Sequence, residues 1–246
     1  PLQLRDQGAR EVFAEYPDVE VMETYDSTAE QTTNYAFWEN IVTANPDIAA
    51  GIGLCTFEGP TFASLMPKLD FDFVTVTADL IPETLDAIRE GSVDAAIGQH
   101  PFLQGYLPIY FMARYTLEGT PMPEGQVLLP AEIVNADNLD LVIERQTDPQ
   151  KSYEWYSAFL EENLAAIEAA VVPFDDTPAP TEPAETTDEK PFFGFVMHNF
   201  ETEFTVEITT GAEAACADLG VDCEVTGPAK FDPPTAIQMF EGLLAK

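Results

Sequence analysis

The segment Ser92–Ile109 (SVDAAIGQHPFLQGYLPI) holds the residues that are best placed for ligand chemistry. Val93–Ile97 is an apolar run that suits a buried strand, and Gln99 and His100 follow at its carboxyl end, ahead of Gln104. Open α/β sheets hold their ligands at the carboxyl ends of their strands. We therefore treat this polar tip as a candidate position for binding a ligand.

Motifs of the common catalytic classes are absent from the sequence, which contains no G-x-S-x-G, H-E-x-x-H, P-loop or C-x-x-C. The carboxylates are scattered, and no pair of them can be assigned acid and base roles. The two histidines are His100 and His198, and a lone histidine is more often a structural residue than a ligand. We therefore expect no enzymatic activity, no metal ion and no cofactor.

The charge of the chain narrows the classes of ligand. Forty-four acidic and ten basic residues in 246 leave a net charge of −34, while 46% hydrophobic residues place the chain in the globular class. Such a field repels phosphate backbones and anionic lipid, which disfavours nucleic acid and favours a neutral or cationic small ligand. A solvated acidic surface, typical of salt-adapted or secreted proteins, explains the same excess. No run of eighteen apolar residues occurs, so we expect no membrane span.

The three cysteines allow one internal disulfide at most. Cys216 and Cys223 lie on either side of the Leu219–Gly220 turn, where their Cα atoms could approach bridging distance. The alternative is a pair of reduced thiols in the core. Cys55 stands alone at an apolar strand end, which favours a packed small hydrophobe over a nucleophile.

Helical and strand patterns alternate along the first part of the chain. Helices are expected over Leu4–Tyr16, from the capping-box spacing Ser27–Glu30 to Asn45, and over Gly59–Lys68, Pro82–Glu90 and Phe102–Leu117. Strands are expected over Val19–Thr24, Ile48–Leu54, Phe73–Thr77 and residues 93–97. Pro130 interrupts a further strand at 127–134, which should lie at an edge or cross between lobes. The alternation predicts a Rossmann-like α/β fold, a parallel sheet flanked by helices.

The pattern changes after Asp148, and we expect the chain to be divided there. Residues 1–148 form the α/β domain, and 149–172 form a helical tail with a helix over Tyr153–Val171. Residues 173–190 are an acidic linker rich in Pro and Thr, predicted to be disordered. Residues 191–246 begin a second βαβα segment. Its strands are expected over Phe192–Met197 and Val221–Thr226, with a helix over Thr202–Leu219 and a final helix capped by Asp232.

Several motifs carry a resemblance to a known family. The first part of the chain contains LRDQG, TANPDI before a strand, VTADLIPETLDAIREG, IGQHPFLQGYLPI and VLLPAEIVNADNLD. Residues 190–246 contain GA in a helix and GP after the second strand. These segments resemble the carboxyl-terminal lobe and the start of the amino-terminal lobe of type 1 periplasmic solute-binding proteins of ABC transporters, in the sugar and autoinducer-2 group.

The order of the two lobe patterns departs from that family, because the carboxyl-lobe pattern precedes the amino-lobe pattern. The rest of the amino lobe, the hinge crossings and the first carboxyl-lobe strand, before Pro1, have no counterpart here. A fragment of a tandem array and a permuted or trimmed chain are two explanations. The linker resembles the tether that precedes a mature domain of this family, which favours the tandem fragment.

The resemblance implies ligand-binding residues in the carboxyl-lobe pattern. Asp79, after VTVTA, matches a hydroxyl-binding aspartate, and its alternative role is to cap the helix that starts at Pro82. Gln99 matches the glutamine at the end of the next strand, or is a turn residue. Arg5 falls in the R-x-x-G match, either as a ligand contact or in a salt bridge to carboxylates of its own lobe.

The amino-lobe pattern implies three further contacts. His198, Asn199 and Phe204 lie on the strand-to-helix loop where the family stacks aromatic rings on the sugar. Packing in the core is the alternative for Phe204, and Phe200 could replace it as the stacking ring.

The implied function is capture of a small polar ligand, a monosaccharide above all, between two lobes for delivery to the permease of an ABC transporter. The implied location is periplasmic or extracellular, with a lipid anchor as an option in the full-length parent. A ligand-sensing domain of a receptor or regulator on the same fold is the alternative.

Overall fold

The computed structural model describes residues 2–28, 30–173, 190–200 and 202–246. These residues form two compact units. The first runs up to Gly98 and resumes over Ala131–Glu144, and the second comprises Gln99–Pro130 and Arg145–Lys246. This grouping differs from the domain boundaries expected from the sequence, which stay predictions. The predicted linker lies outside the described residues except for its ends, Pro173 and Lys190.

The order of elements confirms most of the expected helices and strands. The helices are α1 Leu2–Phe13, α2 Gln31–Ala44, α3 Glu58–Leu65, α4 Pro82–Glu90, α5 Pro101–Glu118, α6 Leu139–Thr147, α7 Pro149–Ala169, α8 Glu203–Leu219 and α9 Pro233–Leu244. The strands are β1 Ala50–Ile52, β2 Val74–Ala78, β3 Ala95–Gly98, β4 Gln126–Val127, β5 Glu132–Val134, β6 Val171–Val172, β7 Phe192–Val196 and β8 Asp222–Thr226. A 3₁₀ turn, Met66–Lys68, extends α3. The expected cap of the last helix is confirmed, since the Asp232 side chain accepts a hydrogen bond from Thr235 N.

The first unit is built on a sheet in the order β1-β2-β3-β5. β1, β2 and β3 are parallel, with Val76 opposite Ala95, and β5 joins β3 antiparallel at the edge. The predicted α/β fold is therefore confirmed, but the sheet is mixed rather than wholly parallel. Pro130 lies in the gap between β4 and β5 and lacks the N–H that a continuous strand would need there.

Helices bury some of the apolar side chains of this sheet, while Val74, Ile97 and Ile133 stay exposed. Phe62 of α3 and Leu85 and Ile88 of α4 share one core cluster with Val93 and Val134. The ring of Trp38 meets Phe62 edge to face, with 4.7 Å between centroids. α6, which the sequence reasoning missed, adds Leu139 and Val142 to the same cluster.

The strand expected over Val19–Thr24 is wrong. Residues 19–28 form no ladder, and Val19 and Val21 are 47% and 41% exposed. A strand exists only through hydrogen bonds to a neighbour, and alternating valines do not supply that neighbour.

The capping box expected at Ser27 and Glu30 is also wrong. Glu30 itself is the N-cap of α2, and its carboxylate accepts hydrogen bonds from Thr32 N and Thr33 N. The Thr33 hydroxyl, followed by the two amides, lowers the pKa of Glu30 to about 2. Ser27 instead donates to Glu58 at 2.7 Å.

Three helices of the second unit, α5, α7 and α8, pack around a stacked aromatic pair. The rings of Phe102 and Tyr156 lie 4.3 Å apart and are inclined by 4°. α5 and α8 cross at two glycines, because a Cβ on Gly105 would lie 1.9 Å from Ile208 O and a Cβ on Gly211 would lie 1.9 Å from Phe102 O. The backbones approach more closely than any side chain would allow.

This unit also contains a parallel pair of strands, β7 and β8, linked through α8, and a short antiparallel pair, β4 and β6. Cys216, at the end of α8, and Cys223, in β8, form a disulfide with their Cα atoms 6.1 Å apart. Cys55 of the first unit is half-buried with a free thiol.

A methyl group added at Gly105 should disrupt the close contact of α5 and α8 in the second unit. Gly105→Ala is expected to lower the free energy of unfolding by at least about 2 kcal/mol, since the new Cβ overlaps a carbonyl oxygen. Chemical denaturation followed by circular dichroism measures the change. Gly242→Ala, in α9 with open space around the new Cβ, is the matched control, and it should be neutral or stabilising by about 0.5–1 kcal/mol. Equal stability of the two variants would contradict the close crossing.

The pKa of Glu30 should show how strongly the hydrogen bonds of the α2 N-cap stabilise its carboxylate. Its pKa is lower in the folded than in the unfolded chain, so the cap's contribution is fully present above the unfolded value and lost as pH falls through about 2. A carboxyl NMR titration should place the Glu30 midpoint well below that of a variant carrying Thr33→Val, which lacks the donating hydroxyl. Identical midpoints would show that Thr33 does not set the pKa.

Candidate functional site

Loops of the first unit follow the carboxyl ends of β1 and β2, which are neighbouring parallel strands and therefore end at one edge of the sheet. Gly53–Phe57 connects β1 to α3, and Asp79–Ile81 connects β2 to α4. Gln99 comes directly after β3 in the chain and is the first residue of the second unit. The predicted ligand residues are thus distributed over both units, and each unit is described by itself.

Asp79 has an unusual backbone for its residue type. Its φ is 70°, in the left-handed region, and its N–H donates to Ile97 O at 2.9 Å. The side chain is half-buried. α4 begins at Pro82 with Ile81 as its N-cap residue, and a proline at the first helical position needs no hydrogen-bond partner for its nitrogen. The ligand role of Asp79 stays a prediction.

His100 shares this left-handed conformation, with φ 50°. Such backbones are uncommon outside glycine, and aspartate and histidine adopt them more readily than most residues. Strained backbone of this kind clusters at functional sites. Asp79 follows the end of β2 by one residue, which is a position where a ligand site would need fixed geometry.

A buried carboxylate fastens the loop after β1. Glu58 is 3% exposed and accepts hydrogen bonds from Ser27 Oγ at 2.7 Å, Asn34 Nδ2 at 3.1 Å and Cys55 N at 3.2 Å. A Cβ on Gly53 would lie 2.2 Å from the Glu58 Cβ, so the loop turns back directly onto this side chain. Three donors compensate for the desolvation of the buried charge.

Asn34 extends this network within the core. It is fully buried, and its Oδ1 accepts a hydrogen bond from Thr61 Oγ1 at 2.6 Å. Gln31 donates in turn to Thr61 Oγ1 at 2.9 Å and to Phe57 O at 3.4 Å. α2, α3 and the loop after β1 are therefore held together by one connected set of polar side chains.

Arg5 and Thr77 hold the same loop by its carbonyl groups. Arg5 Nη1 donates to Leu54 O at 2.7 Å, and Thr77 Oγ1 donates to Cys55 O at 3.3 Å. Arg5 was expected to contact ligand or a carboxylate; the structure shows a hydrogen bond to a backbone carbonyl, and the ligand role stays a prediction. Sequence reasoning missed Glu58, Asn34 and Thr77 as organisers of this loop, because single buried polar residues carry no motif.

Gln99 and His100 differ in exposure at the start of the second unit. Gln99 is half-buried, and its carbonyl accepts a hydrogen bond from Gln104 Nε2 at 3.0 Å. His100 is 4% exposed, and its ring stacks at 5.7 Å on Trp155 and lies 5.4 Å from Phe159. This surrounding favours the structural role for His100.

The loop between β7 and α8 carries the other predicted contacts. His198 is exposed, with its ring 6.4 Å from that of Phe231. Asn199 Oδ1 accepts a hydrogen bond from Thr205 Oγ1 at 3.3 Å, which ties it to the first turn of α8. Phe200 and Phe204 are both half-buried, so exposure does not separate them as stacking rings.

Two features are absent from the part of the chain that the structure describes. No three His, Cys, Asp or Glu side chains are grouped there as a metal ion would require. None of its helices combines the length and apolar character needed to cross a membrane.

Comparison with known proteins finds a family likeness in the first half of the chain. Residues 1–121 match the family model of the periplasmic binding protein domain. The match covers just under half of the 246 residues. The match covers the whole edge formed by β1 and β2 and its loops, so Asp79 and the Glu58 network both lie inside the matched domain.

Solved structures of ABC-transporter solute-binding proteins show weaker likeness. One from Burkholderia graminis, solved with D-arabinose, is 21% identical with a TM-score of 0.45, over 55% of this chain and 48% of its own. The arabinose-binding protein AraP of Geobacillus stearothermophilus is 21% identical with a TM-score of 0.49, over 56% and 51%. A protein from Bacillus halodurans with bound myo-inositol is 19% identical with a TM-score of 0.45, over 56% and 48%. The chain spans about half the length of these proteins.

The Glu58 network should be sensitive to loss of its charge. Glu58→Gln places an amide donor against Cys55 N or Asn34 Nδ2, and the free energy of unfolding should fall by about 1–3 kcal/mol. Urea denaturation measures the change. Glu20→Gln, at an exposed position in residues 19–28, serves as the control and should stay within about 0.5 kcal/mol of the unmodified chain. The network would be unimportant if both variants unfolded at the same urea concentration.

Proposed function

We propose that this chain acts in an extracytoplasmic solute-binding protein, which captures a small polar ligand between two lobes and delivers it to the permease of an ABC transporter. The observation that carries the proposal is the match of residues 1–121 to the periplasmic binding protein domain. The matched family consists of binding proteins, and the proposal includes no covalent chemistry. A periplasmic or extracellular location, with a lipid anchor on the full-length protein, belongs to the same proposal.

The chemistry of the chain supports a monosaccharide as the ligand. A net charge of −34 opposes anionic ligands and leaves neutral polyols unaffected. A carboxylate such as Asp79 can accept hydrogen bonds from two neighbouring hydroxyls at once, and its position after β2 is the one where parallel sheets hold ligands. The resemblance to sugar-binding relatives supports the same class.

The remaining contacts are proposed residue by residue. Gln99 offers a planar amide for a hydroxyl pair, and Phe204 or Phe200 offers an apolar face for the C–H side of a sugar ring. His198 and Asn199 are proposed as polar contacts from the loop before α8. Arg5 is proposed as a further donor, with one of its N–H groups already bonded to Leu54 O.

The proposal is tested by titrating the full-length protein that carries this chain with a panel of monosaccharides in a calorimeter. At least one sugar should release saturable heat, and Asp79→Asn should weaken its binding by about 10- to 100-fold through loss of a charged acceptor. Asparagine is chosen because it tolerates the left-handed backbone at this position.

Asp86→Asn supplies the matched control for this test. Asp86 is an exposed residue of α4 that pairs with Arg89, and its replacement should leave sugar affinity unchanged. Full affinity in Asp79→Asn would remove Asp79 from the site. A panel without any binding sugar would overturn the proposed ligand class.

A further inference from the structure

An open groove of about 520 Å³ lies in the second unit, and none of the residues discussed as a sugar contact is among those that line it. We refer to it as the tyrosine groove. It is lined by Phe102 and Tyr106 of α5, by Tyr153, Ser157, Leu160, Glu161, Leu164, Ala165 and Glu168 of α7, and by Asp218 of α8. All of these residues belong to one unit, so the groove does not depend on how the units are arranged.

Aromatic rings follow one face of α5 beside this groove. Phe102, Tyr106 and Tyr110 are spaced by four residues, which places them on one helix face. Their rings stack in sequence, with centroids 6.0 Å and 6.5 Å apart and planes inclined by 19° and 24°. Tyr153 of α7 adds a ring from the other side. Phe102 is buried against Tyr156, and the Arg114 guanidinium already lies 5.5 Å from the centre of the Tyr110 ring. Tyr106 and Tyr153 are therefore the rings that offer a face of negative potential to a cation.

Asp218 brings a carboxylate to these rings. Its Oδ2 accepts a hydrogen bond from the Tyr106 hydroxyl at 3.1 Å, and its Oδ1 accepts one from the Tyr153 hydroxyl at 2.6 Å. Burial first, and the Asp218 charge second, raise the pKa of Tyr106, while the hydrogen bond to Asp218 raises the pKa of Tyr153. Both hydroxyls therefore remain neutral donors near pH 7. They orient the carboxylate without cancelling its negative charge.

The other end of the groove also keeps an excess of negative charge. Glu168 Oε1 accepts hydrogen bonds from the Tyr110 hydroxyl at 3.1 Å and from Arg114 Nη1 at 2.6 Å. The same guanidinium also pairs with Glu118, so one positive charge is shared by two carboxylates. Glu161 lines the groove as well. The described residues that line the groove include no Lys or Arg.

We propose that the tyrosine groove binds a small organic cation of the quaternary ammonium class. Ring faces and carboxylates attract such a cation together, whereas a neutral polyol gains nothing from the excess charge. The methyl groups of a quaternary ammonium shield its charge, so the ion is weakly hydrated and loses little hydration when it contacts a ring. It has no N–H group and therefore requires no hydrogen-bond acceptor. The net charge of the chain adds long-range attraction for a cation. This inference does not rest on sugar binding.

The test uses choline and its uncharged isostere, 3,3-dimethyl-1-butanol, titrated into the whole chain at low ionic strength and followed by NMR shifts of the tyrosine rings. Choline should shift the signals of Tyr106 and Tyr153 saturably and bind at least about tenfold more tightly than the isostere. Added salt should weaken binding of choline and leave the isostere unaffected.

Variants assign the binding to this groove. Asp218→Asn should weaken choline by about fivefold or more, and Glu161→Gln, an exposed change that leaves the packing intact, should weaken it by about twofold. Tyr106→Phe keeps the ring and should retain choline affinity within about threefold. Asp222→Asn is the matched control, since Asp222 is exposed and pairs with Lys190, outside the groove lining, and should have no effect.

Three outcomes would overturn the inference. The first is equal binding of choline and the isostere, and the second is the absence of any shift up to about 50 mM choline. The third is a monosaccharide that shifts Tyr106 and Tyr153 while choline does not, which would make the groove a polyol site.

Discussion

The buried carboxylate of Glu58 is the interaction on which the candidate site of the first unit depends. A charge that is only 3% exposed is tolerated because three donors meet it, and each donor comes from a different segment of the chain. Ser27 lies before α2, Asn34 lies within α2, and Cys55 lies in the loop after β1. Satisfying one charge therefore fixes three segments relative to one another. The loop Gly53–Phe57, beside Asp79, is held in place by these bonds. A binding site that is already ordered loses little entropy when it binds its ligand.

The second unit depends on a different constraint, the close approach of two backbones. Gly105 and Gly211 allow α5 and α8 to meet without intervening side chains, and the apolar residues around the crossing then share one core. α5 comes from the part of the sequence that resembles a carboxyl-terminal lobe, and α8 comes from the part that resembles the start of an amino-terminal lobe. The structure joins these segments in one compact unit although the expected linker separates them in sequence. Such a helix contact stabilises the unit whatever the order of the two helices along the chain.

Charge acts at two scales in this protein. At long range, the net charge of −34 selects against anions of any kind. At short range, Asp218 of the tyrosine groove is held by two neutral hydroxyls, whereas Glu168 is bonded to a hydroxyl and to Arg114. Because the chain has only ten basic residues, most carboxylates must be stabilised by hydroxyls, amides or water. The shortage of basic residues therefore accounts both for the negative net charge and for the use of hydroxyls as the partners of Asp218.

The sequence by itself determined the elements whose signals are local. The Pro82–Glu90 helix was predicted to the residue, because proline at its start and glycine at its end act within one turn. The cap at Asp232 and the break at Pro130 follow from equally local chemistry. The parallel order of β1, β2 and β3 follows from the alternation of helix and strand, which restricts the topology.

The tertiary structure alone decided the features that need a distant partner. Val19–Thr24 has strand-like residues but no neighbour, while the carboxylate of Glu58 and the glycines at 105 and 211 acquire their roles only from residues that meet them in space. Arg5 fits a ligand motif, yet it bonds to a carbonyl 49 positions away. The physical reason is that burial and hydrogen-bond partners are properties of the folded chain, whereas propensity and capping are properties of a few consecutive residues.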